Sequence, residues 1–252
     1  MTFERSPGPP EPGLPHPPSG GAPGSGPTPV QIRLQILTTE HWSLLASRGL
    51  AWNEVFARAG MYLSTLSATI VALGLIGGID QFGDAFFTFA FVLLPVVLFL
   101  GVGTWLRMGT SNFHDVQTIA GMNRIRGAYL QIAPDLEPYF VMGTHDDPPG
   151  IGITMAVPPG LPVIVHLIAS TPFLVTTLNA VLAGALAALV IVRLFGGQGA
   201  AAALGAIAVA LLVFAFETVV ARRTITRGQR SVHPLFPTPP EEPRDPVARQ
   251  LL

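Results

Sequence analysis

Polar and apolar positions are distributed unevenly along this chain. Four runs, residues 61–79, 86–106, 171–192 and 199–216, contain no charged side chain. A helix rising 1.5 Å per residue needs about 20 apolar residues to cross a hydrocarbon core of roughly 30 Å. The pattern therefore predicts an all-α membrane protein with four transmembrane helices, at about 61–79, 86–106, 171–193 and 199–221. The segments 80–85 (DQFGDA) and 194–198 (LFGGQ) are long enough only for turns, which pairs the spans as two hairpins.

The flanking pattern is different. Residues 30–37 (VQIRLQIL) alternate, with Val30, Ile32, Leu34 and Ile36 opposite Gln31, Arg33 and Gln35, a period-2 signal for a short strand. Residues 39–60 switch to helical periodicity, and a helix capped by Thr38 or Thr39 is expected there. Trp42, Leu45, Gly49, Trp52, Phe56 and Ala59 share about a third of the wheel, with Glu40, Arg48, Glu54 and Arg58 opposite. An amphipathic helix of this kind lies at the membrane interface on Trp42 and Trp52 or packs on other cytoplasmic segments.

The connection at 107–169 divides in two. Residues 111–133 predict a second amphipathic helix, capped by Ser111 and stopped by Pro134. Beyond it, 153–157 and 163–167 are apolar pieces joined by PPGLP, a linkage that argues against a fifth span and for a β-hairpin or extended loop. With 30–36, these pieces are expected to form a small β element. Residues 1–29 and 231–252, both rich in proline, are expected to be disordered tails around a membrane domain at 30–230.

Within the runs, small residues recur at spacings of four: Gly74 and Gly78 in the first, Ala180 and Gly184 in the third, Gly205 in the fourth. Such faces let helix backbones approach closely, within one chain or in a homo-oligomer. Pro95 interrupts the second run and is expected to kink its helix.

Charge adds orientation. Arg48 and Arg58 precede the first span, Arg107, Arg124 and Arg126 follow the second, and Arg222, Arg223, Arg227 and Arg230 follow the fourth. The turns hold only Arg193, at a helix end from which it can snorkel. By the positive-inside rule both termini and the long connection are cytoplasmic, and the membrane is the cell's plasma membrane. No cleavable signal is visible before the first span. All fourteen basic residues are arginine, a codon bias that points to a GC-rich bacterial genome. A net charge of −1 excludes a global field that would recruit nucleic acid.

Candidate chemistry is sparse. Without cysteine there is no disulfide, thiolate ligand or cysteine nucleophile. No nucleotide-binding or hydrolase motif occurs, and no cofactor is expected. His114, Asp115, His145, Asp146, Asp147 and His166 are residue types that bind zinc or iron, but their spacing matches no ligand motif, and 145–149 reads as a turn. The intramembrane polar residues are Ser64, Ser67, Thr176 and Asn179, suited to interhelical hydrogen bonds or a pore lining. Glu217 is expected at the cytoplasmic end of the fourth span, paired with Arg222 and Arg223 or hydrated, which leaves no ionisable group at depth for ion-coupled transport.

The phrases LTTEHWSLLASRGLAWNEVFARAGMYLSTLSATIVALGLI and MNRIRGAYLQIAPDLEPYF, within about 37–140, resemble uncharacterised multi-pass membrane proteins of actinobacteria. The resemblance carries no activity with it. The expected function is that of a non-enzymatic helical-bundle scaffold or interaction protein in the lipid bilayer that oligomerises, its protein partner unknown. A channel or small-solute permease without buried charge is the alternative, and a membrane-bound metalloenzyme a distant third.

Overall fold

The computed structural model describes residues 27–155, 165, 168–196, 199–231 and 233–239. Helices α1 (Pro29–Asp80), α2 (Asp84–Ile132), α3 (Pro148–Thr154), α4 (Thr171–Phe195) and α5 (Gly199–Ser231) follow in order, with a 3₁₀ turn at Pro134–Tyr139 after α2. Among the described residues there is no strand. α1, α2, α4 and α5 are each long and apolar enough to cross a membrane.

The strand expected at 30–37 is helical instead, the first turns of a 52-residue α1. A reciprocal cap starts it: Thr28 Oγ1 accepts from the Gln31 amide at 3.3 Å, and Gln31 Oε1 accepts from the Thr28 amide at 2.7 Å. Pro29 at the first helical position completes the signal. Val30, Ile32 and Ile36 are all exposed, so their alternation buries nothing, and a strand here would lack a partner for its backbone. The cap expected at Thr38 or Thr39 is correspondingly absent; both lie inside α1, with Thr39 Oγ1 donating to the Gln35 carbonyl.

α1 ends where Gln81 and Phe82 adopt left-handed backbone (φ 47° and 59°) and the Phe82 amide bonds back to the Gly77 carbonyl at 3.1 Å. The Phe82 ring then covers Gly77, where a Cβ would come within 2.8 Å of it. Asp80 Oδ2 receives the Phe86 amide and anchors the start of α2.

α2 continues for 49 residues, through Pro95 and across the break expected before Ser111. Ser111 caps nothing: it is buried inside α2, and its hydroxyl has no hydrogen-bond partner. Ion pairs to α1 on either side of the expected break hold the rod together, Arg107 with Glu54 and Asp115 with Arg48. α2 stops before Pro134, whose ring cannot continue it. The expected β-hairpin is also overturned as far as it is described: Ile153 and Thr154 close α3, and Val165 and Ile168 are helical. Residues 156–164 lie outside the described residues, as does the tail 1–26.

α1 and α2 run antiparallel about Leu66, Leu73, Leu94 and Val97, and Val175 and Leu182 of α4 close the same core. α4 and α5 are antiparallel in turn. A Cβ at Gly184 would meet the Ala206 carbonyl at 2.7 Å, and one at Gly205 would overlap Ile191 Cδ1, so both glycines are sites of close helix approach within the chain. Phe173 and Phe214 pack edge to face at 5.7 Å beside them. Gly74 and Gly78 on α1, by contrast, are exposed, and a Cβ at either would meet open space.

Candidate functional site

One buried polar node receives a residue from each long helix. α1 contributes Tyr62, α2 Gly101, α4 Asn179 and Thr176, and α5 Glu217. Tyr62, Asn179 and Glu217 are 1%, 0% and 2% exposed, so none exchanges hydrogen bonds with bulk water. The Tyr62 hydroxyl donates to Asn179 Oδ1 at 3.0 Å, and Asn179 Nδ2 donates to Glu217 Oε1 at 3.0 Å. Thr176, one turn from Asn179, flanks the same carboxyl group. The other carboxyl oxygen, Oε2, is buried and, among the described residues, has no hydrogen-bond partner in good geometry.

Gly101 makes the crossing possible. A Cβ there would overlap Asn179 Oδ1 and lie 2.8 Å from the Tyr62 ring. The bare backbone of α2 is what lets the phenol and the amide meet.

Counted along each helix, the node is about 24–27 Å from the turns that join α1 to α2 and α4 to α5. All four helices place it at the same level, a distance from the turns slightly less than the roughly 30 Å thickness of a hydrocarbon core.

This arrangement corrects the reading of Glu217. It is neither hydrated nor paired with Arg222 and Arg223, both of which are exposed. Asn179 and Thr176 are brought together in the node, whereas Ser64 and Ser67 are exposed on the outer face of α1. The four do not share one surface. Ala180, next to Asn179, is also buried.

A second polar cluster, buried at Asp115 but largely open at Glu54 and Arg107, ties the extensions of α1 and α2 beyond the node. Asp115, 4% exposed, accepts from Arg48 Nε at 2.6 Å and from Trp52 Nε1 at 3.1 Å. Glu54 receives a two-point contact from Arg107 at 3.1 and 2.5 Å. Trp52 therefore faces α2, half-buried and stacked on Phe56, while Trp42 is 64% exposed. His114 Nε2 lies 3.3 Å from Ser47 Oγ.

A third cluster forms around α3. Asn123, fully buried, donates to the carbonyls of His145 and Gly150 and accepts from Thr154 and Arg126. Asp147 caps α3 through the Gly150 amide. Asp146 accepts from Arg124 Nε at 2.6 Å and from the amides of Leu235 and Phe236 at 2.8 Å each; Asp147 accepts from the Thr238 amide and hydroxyl. Residues 233–239, expected to be disordered, are thus docked on this corner. Prolines at 234, 237 and 239 keep the segment extended, and the amides left between them meet the two carboxylates.

Burial is the largest influence on Asp146 and opposes its ionisation, yet the Leu235 amide, Arg124 and the Phe236 amide together hold its carboxyl below the ordinary value of 3.8. Asp147 follows the same balance: burial raises it, while Thr238 and the Gly150 amide bring it below 3.8. Among the described residues no group of three or more histidine or carboxylate side chains is placed to hold a metal; His166 lies outside them.

Sequence reasoning singled out Asn179 and Thr176 but missed Tyr62, Gly101 and Asn123, and misjudged Glu217. Comparison with protein-family models, with curated proteins and with solved structures finds no match to this chain.

Proposed function

We propose that the chain is a non-enzymatic integral membrane scaffold. Its four spans cross the plasma membrane as two hairpins, with both tails in the cytoplasm, and its α1–α2 pair extends as a rigid arm on the cytoplasmic side. The continuity of α1 and α2 past the node carries this reading. The stretch of α1 before Tyr62 is about 50 Å long, and the stretch of α2 after Gly101 about 47 Å. Neither fits within the same core that the rest of the helix crosses. Arg48–Asp115 and Arg107–Glu54 lock the two stretches side by side. Trp42, Leu45 and Phe56 remain exposed along the arm, an apolar stripe facing the headgroup layer or a protein partner.

The outward face of α5, with Leu204, Ile207, Leu211, Leu212 and Phe216 exposed, suits lipid contact. The exposed glycines of α1, Gly74 and Gly78, are where a second copy would pack. A pore through one chain is disfavoured, because Ser64 and Ser67 face outward while Thr176 and Asn179 are sealed inside.

The absence of cysteine makes topology directly testable. Asp84→Cys, at the turn, is expected to react with a membrane-impermeant maleimide in intact cells, and Glu40→Cys, on the arm, only after permeabilisation. The reverse pattern overturns the orientation. Equal labelling of both from outside overturns the four-span reading.

A further inference from the structure

We propose that Glu217 is a proton-binding site at the cytoplasmic side of the bundle, carrying an exchangeable proton on Oε2 when α4 and α5 are closed on each other. The inference rests on the bundle being membrane-embedded as proposed above, but not on the scaffold role.

Geometry carries it. A carboxylate sealed from water needs a cation or several N–H donors to remain ionised. Glu217 has one N–H donor, Asn179 Nδ2, which engages Oε1, and beside it only the neutral hydroxyl of Thr176 as a further hydrogen-bonding group. The amide cannot turn to offer more, because Tyr62 on α1 donates to its other end. Among the described residues, no donor in hydrogen-bond geometry reaches Oε2.

Among the described residues, the groups that face the carboxyl supply no compensating charge. They are the neutral Tyr62 from α1, the backbone at Gly101 from α2, and Thr176 and Asn179 from α4. On α5 itself Arg222 and Arg223 are exposed. A proton on Oε2 removes the charge that nothing else neutralises and gives this oxygen a hydrogen to donate.

Release balances simply: the O–H bond breaks, the proton passes to water at the cytoplasmic boundary, and the negative charge stays on Glu217. The buried ion then draws water into the α4–α5 contact. Deprotonation therefore favours opening of this end of the bundle, while the Gly184 and Gly205 contacts hold the far part closed. The level of the node, near one boundary and far from the turns, gives the site access from one side only.

Infrared spectroscopy of the full chain in liposomes tests this. A protonated-carboxyl C=O band is expected to persist at neutral pH, to shift on transfer to D₂O, and to disappear in Glu217→Gln. Tyr62→Phe, which loosens the Asn179 amide, is expected to move the band without abolishing it. Absence of the band from the wild-type chain at neutral pH overturns the proposal, as does its survival in Glu217→Gln. Loss of the band on adding sodium at constant pH also overturns it, in favour of a site for a metal cation. None of these outcomes depends on the topology labelling, so the two proposals fail separately.

Discussion

Asp146 and Glu217 are both carboxyl groups withdrawn from water, and the protein surrounds them in opposite ways. Asp146 receives a guanidinium and two backbone amides. Glu217 receives a single side-chain N–H with the neutral Thr176 hydroxyl beside it, and no cation or backbone amide among the described residues. Asp115 stands with Asp146, held by Arg48 and Trp52. The contrast separates two uses of a buried acid. Where donors and a cation converge, the acid is a fixed anion that locks helices or a loop together. Where they are missing, the acid is a titratable group.

The largest expected effect comes from breaking a compensated anion. Arg48→Leu strands Asp115, which is 4% exposed, and should cost about 3 kcal/mol of stability. That is the low end for a buried pair, because Arg48 itself retains 30% exposure and its charge is partly screened by solvent. Thermal unfolding in detergent reads the loss. A change of under about 0.5 kcal/mol would place Asp115 with Glu217 rather than with Asp146.

A smaller and more local effect is expected at the docked segment. Asp146→Asn removes the charge facing Arg124 and turns one acceptor into a donor aimed at an amide. The segment at 233–239 should lose about 2 kcal/mol of docking free energy. Limited proteolysis near Phe236 should then speed up by roughly thirtyfold. The pH dependence has a definite sign. Asp146 and Asp147 are held below 3.8 in the folded state, so their contribution is fully present above that value. It is lost only as pH falls further, through the depressed values, and the segment should stay docked from neutral pH down to about 4. Release in mildly acidic buffer would show that the two carboxylates do not hold it.

The four long apolar helices were legible because a helix able to cross a membrane needs a long uncharged run, and such runs stand out in the sequence. What lay outside them was harder to read. Residues 30–37 carry a strand-like alternation, but Gln31, Arg33 and Gln35 are good helix formers, and a cap at Thr28 decides the matter. The break expected before Ser111 relied on a capping residue type alone. It ignored that an unbroken α2 brings Arg107 and Asp115 opposite Glu54 and Arg48.

Glu217 was the costliest misreading, and the sequence held a signal against it. Arg222 is five positions on, about 140° around the helix, whereas an ion pair along one helix needs a spacing of three or four. A glutamate with no arginine at those spacings, on the last turns of an apolar helix, must look inward or remain bare. Tyr62 and Gly101 gave no such sign, since a tyrosine at a span boundary is ordinary and a glycine in a span has many uses. Their role exists only once α1, α2 and α4 converge.

The smallest expected effect is the most informative one. If Glu217 is a neutral acid, Glu217→Gln replaces one uncharged hydrogen-bonding group by another of nearly the same shape. Asn179 Nδ2 keeps a carbonyl acceptor, and the unpartnered oxygen becomes an unpartnered NH₂. Stability at neutral pH should then change by less than about 1 kcal/mol. The variant should also lose Glu217's own share of the pH dependence of unfolding near neutrality, because the amide cannot titrate. If Glu217 were instead an anion held by an unseen cation, the same substitution would leave that cation buried without its partner and cost several kcal/mol, as for Arg48→Leu. Unfolding curves for the two variants, measured side by side across pH, therefore decide whether Glu217 differs in kind from Asp115 and Asp146 or only in the number of its donors.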